Sequence, residues 1–189
     1  MTQPPLSLPT LTTRRLVLRP FQLADAADVQ RLAGDWAIAD TTLHIPHPYP
    51  NGAAEEWILR YRRDADLGGS VTLAITMRTN GALVGAISLD LDRRYDRAEM
   101  GYWIGRPYWG QGFCTEAALA LVRYGFEQLG LNRIYAFHFT RNPASGRVMQ
   151  KIGMQYEGTL RQHIKKWDRY EDVKVYGILR GEWNRERGV

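Results

Sequence analysis

The stretch Trp109-Gly110-Gln111-Gly112-Phe113-Cys114-Thr115-Glu116-Ala117 places two glycines between a strand-like run, Glu99–Ile104, and a helix-like run, Glu116–Leu129. A turn of that kind at a helix start leaves backbone N–H groups aimed outward with no intrahelical partner, and the helix dipole adds partial positive charge at the same place. Gly110 and Gly112 lack a Cβ, so a bulky diphosphate can approach the main chain closely. The chemistry this turn offers is phosphate binding. A second local word, Asn142-Pro143-Ala144-Ser145, reads as a helix start, with Asn142 at the cap, proline in the first helical position and Ser145 one turn on. The four histidines make no metal site: His44 and His47 flank Pro46, which breaks helical spacing, and His138 and His163 lie far off with no second cysteine nearby.

The elements that hold these residues alternate between strand and helix. Arg15–Arg19 alternates like a strand, and Asp25 starts a short helical segment through Val29 and Leu32. Residues 34–50, rich in Pro, His and aromatics, read as a long loop. Ala53–Asp66 is amphipathic, with Trp57, Ile58 and Tyr61 at helical spacing. Val71–Met77 and Leu83–Leu91 are β-rich runs joined across Asn80-Gly81, a hairpin signal, and Arg97–Gly105 extends them into an antiparallel meander. After the glycine turn, Ala118, Leu121, Val122, Gly125, Phe126 and Leu129 share one stripe, and Gly130 ends the helix. Arg133–Thr140 is another strand, and Gly153 closes the helix that Asn142 opens. Tyr156–Lys165 and Asp172–Leu179 form a last hairpin around Trp167-Asp168-Arg169. The expectation is a single α/β (α+β) domain over residues 1–189, with residues 1–9 as a flexible extension.

Composition bounds the function. Of 189 residues, 44 % are hydrophobic and 24 % charged, the balance of a globular protein with a proper core. No apolar run approaches the ~18 residues of a membrane span, and Met1–Pro9 has no basic-then-apolar signal layout, so no membrane partner is expected. A single cysteine, Cys114, rules out an internal disulfide and points to a cytoplasmic setting. The net charge of +5 suits an anionic ligand, while the scattered arginines form no stripe for specific nucleic-acid binding.

The order of elements and five local words resemble the GNAT N-acetyltransferase superfamily, in particular its ribosomal-protein N-terminal (Rim-type) branch. The words are Gly81-Ala82-Leu83-Val84-Gly85, Glu99-Met100-Gly101-Tyr102-Trp103-Ile104, Tyr108-Trp109-Gly110-Gln111-Gly112, Asn142-Pro143-Ala144-Ser145 and Glu157-Gly158-Thr159-Leu160-Arg161. The resemblance spans nearly the whole chain, from Leu16 to Trp183. Trp109 stands where the superfamily usually has Gln or Arg, as is common in the Rim-type branch, and Cys114 replaces a final Gly or Ala with a side chain small enough to keep the turn. The resemblance implies a mostly antiparallel sheet of six to seven strands, splayed in the middle and flanked by about four helices, with acetyl-CoA as cosubstrate and no metal.

It also implies roles. Acetyl-CoA enters where the Glu99–Gly105 and Arg133–Thr140 strands part, with Gly101 as a bulge that helps open them or a glycine that relieves packing. Its diphosphate lies on the amides of Gly110, Gln111, Gly112, Phe113, Cys114 and Thr115, and main chain at Trp103, Ile104 or Gly105 holds the thioester end, one amide acting as an oxyanion donor. Many relatives carry a tyrosine acid on the helix after Asn142, but the matching position here is Met149. That leaves the Ser145 hydroxyl as donor to the departing thiolate, with Asn142 on the pantetheine arm or a water. Glu99 is the candidate base, directly or through water, and Glu157 a second candidate. An α-amino group titrates near ~7.7–8.0 and lysine near ~10.4, so lysine costs about 3.5 kcal/mol more to deprotonate, and a site with one carboxylate suits the former. Residues 34–50 and Ala53–Asp66 are expected to wall the acceptor pocket, with Trp36, His44, Tyr49 and Trp57 lining it or packing behind it. The acceptor is thus a protein or peptide N-terminus or a small amine such as an aminoglycoside or polyamine. A non-catalytic acyl-CoA-binding module is the alternative from another class, and nothing in the chain excludes a homodimer.

Overall fold

In the computed structural model, which describes residues 7–186, the strands are Leu11–Thr12 (β1), Leu16–Pro20 (β2), Ser70–Met77 (β3), Leu83–Asp92 (β4), Arg97–Ile104 (β5), Arg133–Phe139 (β6), Gln155–Lys166 (β7) and Arg169–Leu179 (β8). The helices are Ala26–Ala33 (α1), Trp36–Thr41 (α2), Ala53–Asp66 (α3), Phe113–Glu127 (α4), Pro143–Lys151 (α5) and Arg180–Glu186 (α6). All strands join one sheet in the order β1-β2-β3-β4-β5-β6-β8-β7, antiparallel except for the β5–β6 pair. The seven strands expected from alternation are present, and the eighth is the two-residue β1. Most of the expected N-terminal extension, Met1–Leu6, lies outside the described residues; of the rest, Leu8 packs against the core.

Two apolar layers cover the sheet. On one face α4 places Ala117, Ala118, Leu121, Val122 and Phe126 against Leu73, Ile75, Leu89, Met100 and Ile134. On the other, Val29 and Leu32 of α1 and Ile58 of α3 pack with Phe21, Ala74 and Ala86. Strand β3, clamped between both layers, is buried along nearly its whole length.

The sheet opens between β5 and β6. Their parallel ladder runs only from Arg97↔Arg133 to Glu99↔Tyr135. Beyond it, β5 stays with β4 as far as Gly85↔Ile104, and β6 stays with β8 as far as Phe139↔Val173. Each strand keeps its antiparallel partner while sheet twist carries the two pairs apart. The bulge expected at Gly101 is absent: the β4–β5 register is unbroken, with Gly101 opposite Ser88. A Cβ there would lie 3.2 Å from Ser88 Oγ, so this glycine relieves crowding.

Two helices exceed the expected four. Within the segment read as loop, the Asp35 side chain accepts from the Ala37 N–H at 2.9 Å and caps α2. That cap nucleates six helical residues in a stretch whose prolines and histidines mask it. The other is α6, at the C-terminal end of the described chain. Helix α4 starts at Phe113, three residues before the expected Glu116, directly after Gly112. Among the described residues, no helix is long and apolar enough to cross a membrane.

Candidate active site

The turn before α4 has the predicted form. Gly110 and Gly112 both sit at positive φ, +74° and +77°, in the left-handed region that favours glycine. Glu116 is the first residue of α4 whose N–H finds a main-chain partner, the Gly112 carbonyl at 3.1 Å. Among the described residues, the N–H groups of Gly110 to Thr115 have no such partner. Arg15 braces the turn from β2's side: it donates to the Gln111 carbonyl at 2.9 Å and pairs with Glu116 at 2.7 Å, and its guanidinium stacks on the Phe113 ring. The Thr13 hydroxyl and the Arg15 N–H complete the hold on Glu116. A shallow cleft beside the turn is lined by Arg14, Gly112, Thr115, Leu119 and Lys151. The Cys114 side chain packs against the core, where burial pushes its thiol up to about 12.

Main chain along the opening is free on one side. Gly105 donates to Val84 on β4 at 2.8 Å, and alternation turns the N–H and C=O of Ile104 and Tyr102 toward the gap, past the last β5–β6 pair at Glu99↔Tyr135. The Trp109 indole N–H takes the Ile104 carbonyl at 2.6 Å and leaves its N–H facing the gap. Of the three positions named from the sequence, Trp103 and Gly105 turn their N–H groups to β4, and the Trp103 side chain joins the α1–α3 layer.

Helix α5 forms the far wall of the opening. Asn142 caps it, its Oδ1 accepting from the Ser145 N–H at 3.4 Å. Met149 is core, 1 % exposed. The Ser145 hydroxyl meets the Tyr102 hydroxyl at 2.9 Å, and Tyr102 lies 3.1 Å from the Ser145 carbonyl as well. Burial is the main reason the Tyr102 phenol is held far above its ordinary titration range, so it stays protonated. Behind α5 the His138 ring, stacked on Tyr176, touches Gly146; a Cβ at Gly146 would come within 2.6 Å of His138 Nε2. We expect Gly146→Ala to destabilise the protein by on the order of 1 kcal/mol in urea unfolding, an overpacking cost of ~1–3 kcal/mol offset by ~1 kcal/mol of helix propensity. A variant as stable as the parent would show that α5 can back away from the sheet.

Glu99 lies on the opposite face of β5 from Tyr102, by strand alternation. Burial raises its carboxyl above the usual range, and Asp90, its direct partner on β4, raises it further, while the Tyr135 hydroxyl acts the other way. Asp90 is raised too, by burial first and then by Asp64 of α3, with His44 opposing. Glu157 is bound by Arg133 through both oxygens, which holds its carboxyl below the usual range and removes it as a proton acceptor. A cleft of about 310 Å³ opens at Glu99, lined by Arg97, Arg133, Tyr135, Phe137, Leu160, His163, Val173 and Val175.

The expected pocket-wall residues do not gather at one point. Trp36 stacks on Trp167 at 4.8 Å, Trp57 packs edge-on to Phe21 at 4.8 Å, and Tyr49 joins the α1–α3 layer. Only His44 stands by the carboxylates, near Asp90. The 34–50 segment is tied instead to the β7–β8 hairpin: the Lys166 ammonium donates to the carbonyls of Leu43 (3.1 Å) and Ile45 (3.0 Å), and Asp40 pairs with Arg141 and Arg169. Sequence reasoning missed Tyr102, Tyr135 and Arg15. Tyr102 carries a signal, since period-two alternation along β5 sets it on the face opposite Glu99, whereas Tyr135 reaches Glu99 only through the β5–β6 register and Arg15 and Glu116 are 101 positions apart with no local mark.

Comparison with known proteins agrees with this geometry. The acetyltransferase (GNAT) domain model matches residues 15–155. The uncharacterized N-acetyltransferase p20 of Bacillus licheniformis is 33 % identical over 177 residues, 92 % of this chain and 98 % of that protein. A GNAT-family acetyltransferase of Bacillus anthracis superimposes with a TM-score of 0.81 at 25 % identity, over 92 % of this chain and 99 % of that one. RimL, a ribosomal-protein α-N-acetyltransferase solved with coenzyme A, shares the fold at a TM-score of 0.83 and 17 % identity, over 90 % and 98 % of the two chains. The phosphate-ready turn, the opened β5–β6 pair and these likenesses agree: the chain belongs to the GNAT family and is an acetyltransferase.

Proposed function

We propose that this enzyme transfers the acetyl group of acetyl-CoA to the α-amine of a peptide or protein N-terminus. The observation that carries the acceptor class is the cleft at Glu99. Its floor of Phe137, Leu160, Val173 and Val175 suits an apolar side chain next to the amine. The acceptor named for RimL is of the same kind.

The residues fit the cosubstrate. Two glycines at positive φ and a run of unpartnered N–H groups suit a diphosphate, and Arg14 and Lys151 add positive charge beside them. The main chain of Tyr102 and the Ile104 N–H, which face the gap past the end of the β5–β6 ladder, suit the amides of a pantetheine arm. Acetyl-CoA supplies an acyl group activated as a thioester. The chain supplies three things around it. Glu99, raised and on the cleft side, accepts the proton that the amine gives up, directly or through water. The Ile104 N–H, free on the gap side, is the donor available to polarise the carbonyl. The Ser145 hydroxyl, on the other face, hydrogen-bonds the departing sulfur. Base and donor on opposite faces of β5 match a reaction in which the amine arrives on one side and the thiolate leaves on the other.

The test is steady-state CoA release with a panel of peptides, polyamines and aminoglycosides. Peptides with an apolar first residue are expected to show the highest kcat/KM. Preference for spermidine over every peptide would overturn the acceptor class, and CoA binding without release to any amine would favour the non-catalytic module.

A further inference from the structure

A phenol carries one proton and so does a serine hydroxyl, and this limits what the Tyr102–Ser145 contact can be. Tyr102 Oη lies 2.9 Å from Ser145 Oγ and 3.1 Å from the Ser145 carbonyl oxygen. In one arrangement Tyr102 donates to the carbonyl and its lone pair receives the serine proton, which is then turned away from the gap. In the other, Tyr102 donates to Oγ, and the serine proton must point elsewhere. The Ser145 N–H donates to Asn142 Oδ1, which ties the serine to the cap of α5.

We propose that Tyr102 is a positioning residue for the reaction: by donating to Ser145 Oγ it turns the serine's own proton into the opening between β5 and β6, toward the sulfur that leaves. The inference rests on the reading of Ser145 given above. No proton need leave either oxygen; the serine gives a hydrogen bond to the developing thiolate, and the tyrosine's bond to Oγ makes that hydrogen a better donor. Burial keeps Tyr102 protonated at working pH, so its role as donor does not lapse. The strand and the helix that meet here are fixed independently, β5 by the β4 ladder and α5 by His138 against Gly146, which holds the two oxygens in register. The carbonyl at 3.1 Å gives the phenol a resting partner, so the switch between arrangements needs only a rotation of two hydroxyl hydrogens.

Tyr102→Phe keeps the ring that packs on the core and removes only the hydroxyl. Kinetics of Tyr102→Phe, Ser145→Ala and the double variant, with the best amine acceptor, test the idea. Tyr102→Phe is expected to lower kcat about five- to tenfold, the size of one neutral hydrogen bond, with KM for acetyl-CoA within about twofold. Ser145→Ala is expected to lose more, and the double variant to equal Ser145→Ala alone, because the tyrosine acts only through the serine. Losses that multiply, a parental kcat in Tyr102→Phe, or a change in KM without one in kcat would each overturn the proposal. Parental turnover in Ser145→Ala would remove the reading of the serine itself, and the tyrosine's role with it; an impaired Ser145→Ala beside a parental Tyr102→Phe would remove the tyrosine alone.

Discussion

Glu99→Gln is expected to lower kcat/KM by about 10²–10⁴-fold at neutral pH while leaving acetyl-CoA affinity unchanged. A base must be ionised to work, so activity in the parent rises with pH through the Glu99 titration. Burial and then Asp90 move that titration upward, which places the acidic limb of the rate profile above the ordinary glutamate range near ~4.3. The groups facing Glu99 set the shape of that limb: Asp90 on β4 and Tyr135 on β6 beside it, with Arg97, Arg133 and His163 around the cleft. In Glu99→Gln the limb should disappear along with most of the rate. A variant that keeps both would pass the role of base to water.

The same raised carboxyl predicts a stability effect of the opposite sign. Between the unfolded and folded titrations of Glu99 the native state holds more protons, so its contribution to stability falls as pH rises through that window. Above it the cost of an ionised, half-buried carboxylate is fully present. Glutamine cannot ionise, so Glu99→Gln should melt higher than the parent at neutral pH and no differently at low pH. Activity and stability then move in opposite directions at one residue, as expected where a site holds a group in an unfavourable charge state. A lower melting temperature at neutral pH would mean that the carboxylate makes a favourable contact that outweighs its burial.

What the chain spelled out in advance was the local part of this arrangement. Alternation marked seven strands, Asn80-Gly81 marked the hairpin, and Gly110 and Gly112 marked the turn where both now show positive φ. Helix α2 was hidden because its signal is a single cap, Asp35, in a stretch with the composition of a loop. The opening between β5 and β6 has no local signal either. It follows from each strand keeping its antiparallel partner, a property of pairing across the sheet and not of Gly101. For the aromatic residues near the acceptor side the sequence leaves lining and packing both open, and only the contacts distinguish them. Trp57 and Tyr49 serve the α1–α3 layer, and Trp36 serves a strap to the β7–β8 hairpin, since large rings have packing roles that type and spacing do not distinguish from binding. Glu157 shows the converse: only the fold brings Arg133 to it and takes it out of contention.

Gly112→Val is expected to weaken acetyl-CoA binding by on the order of 10–100-fold, through ~1–3 kcal/mol of backbone strain. At φ +77° a β-branched residue is strained whatever the space around it, and an added Cβ meets nothing closer than Arg15 at 3.5 Å. The strain is therefore relieved by turning the peptide units on either side, and those units carry the N–H groups offered to the diphosphate. The core should survive, because Ala117, Ala118 and Leu121 anchor α4 a turn beyond the change and Arg15 still holds Glu116. Two measurements separate the effects. Calorimetry gives the affinity directly, and melting with and without acetyl-CoA gives the stabilisation by ligand, about 2.7 kcal/mol at a hundredfold excess over Kd. The parent should show that stabilisation and the variant, at the same concentration, about 0.4–1.4 kcal/mol. Equal affinity in a variant that melts like the parent would remove the turn from phosphate binding and leave the diphosphate to Arg14 and Lys151 at the neighbouring cleft.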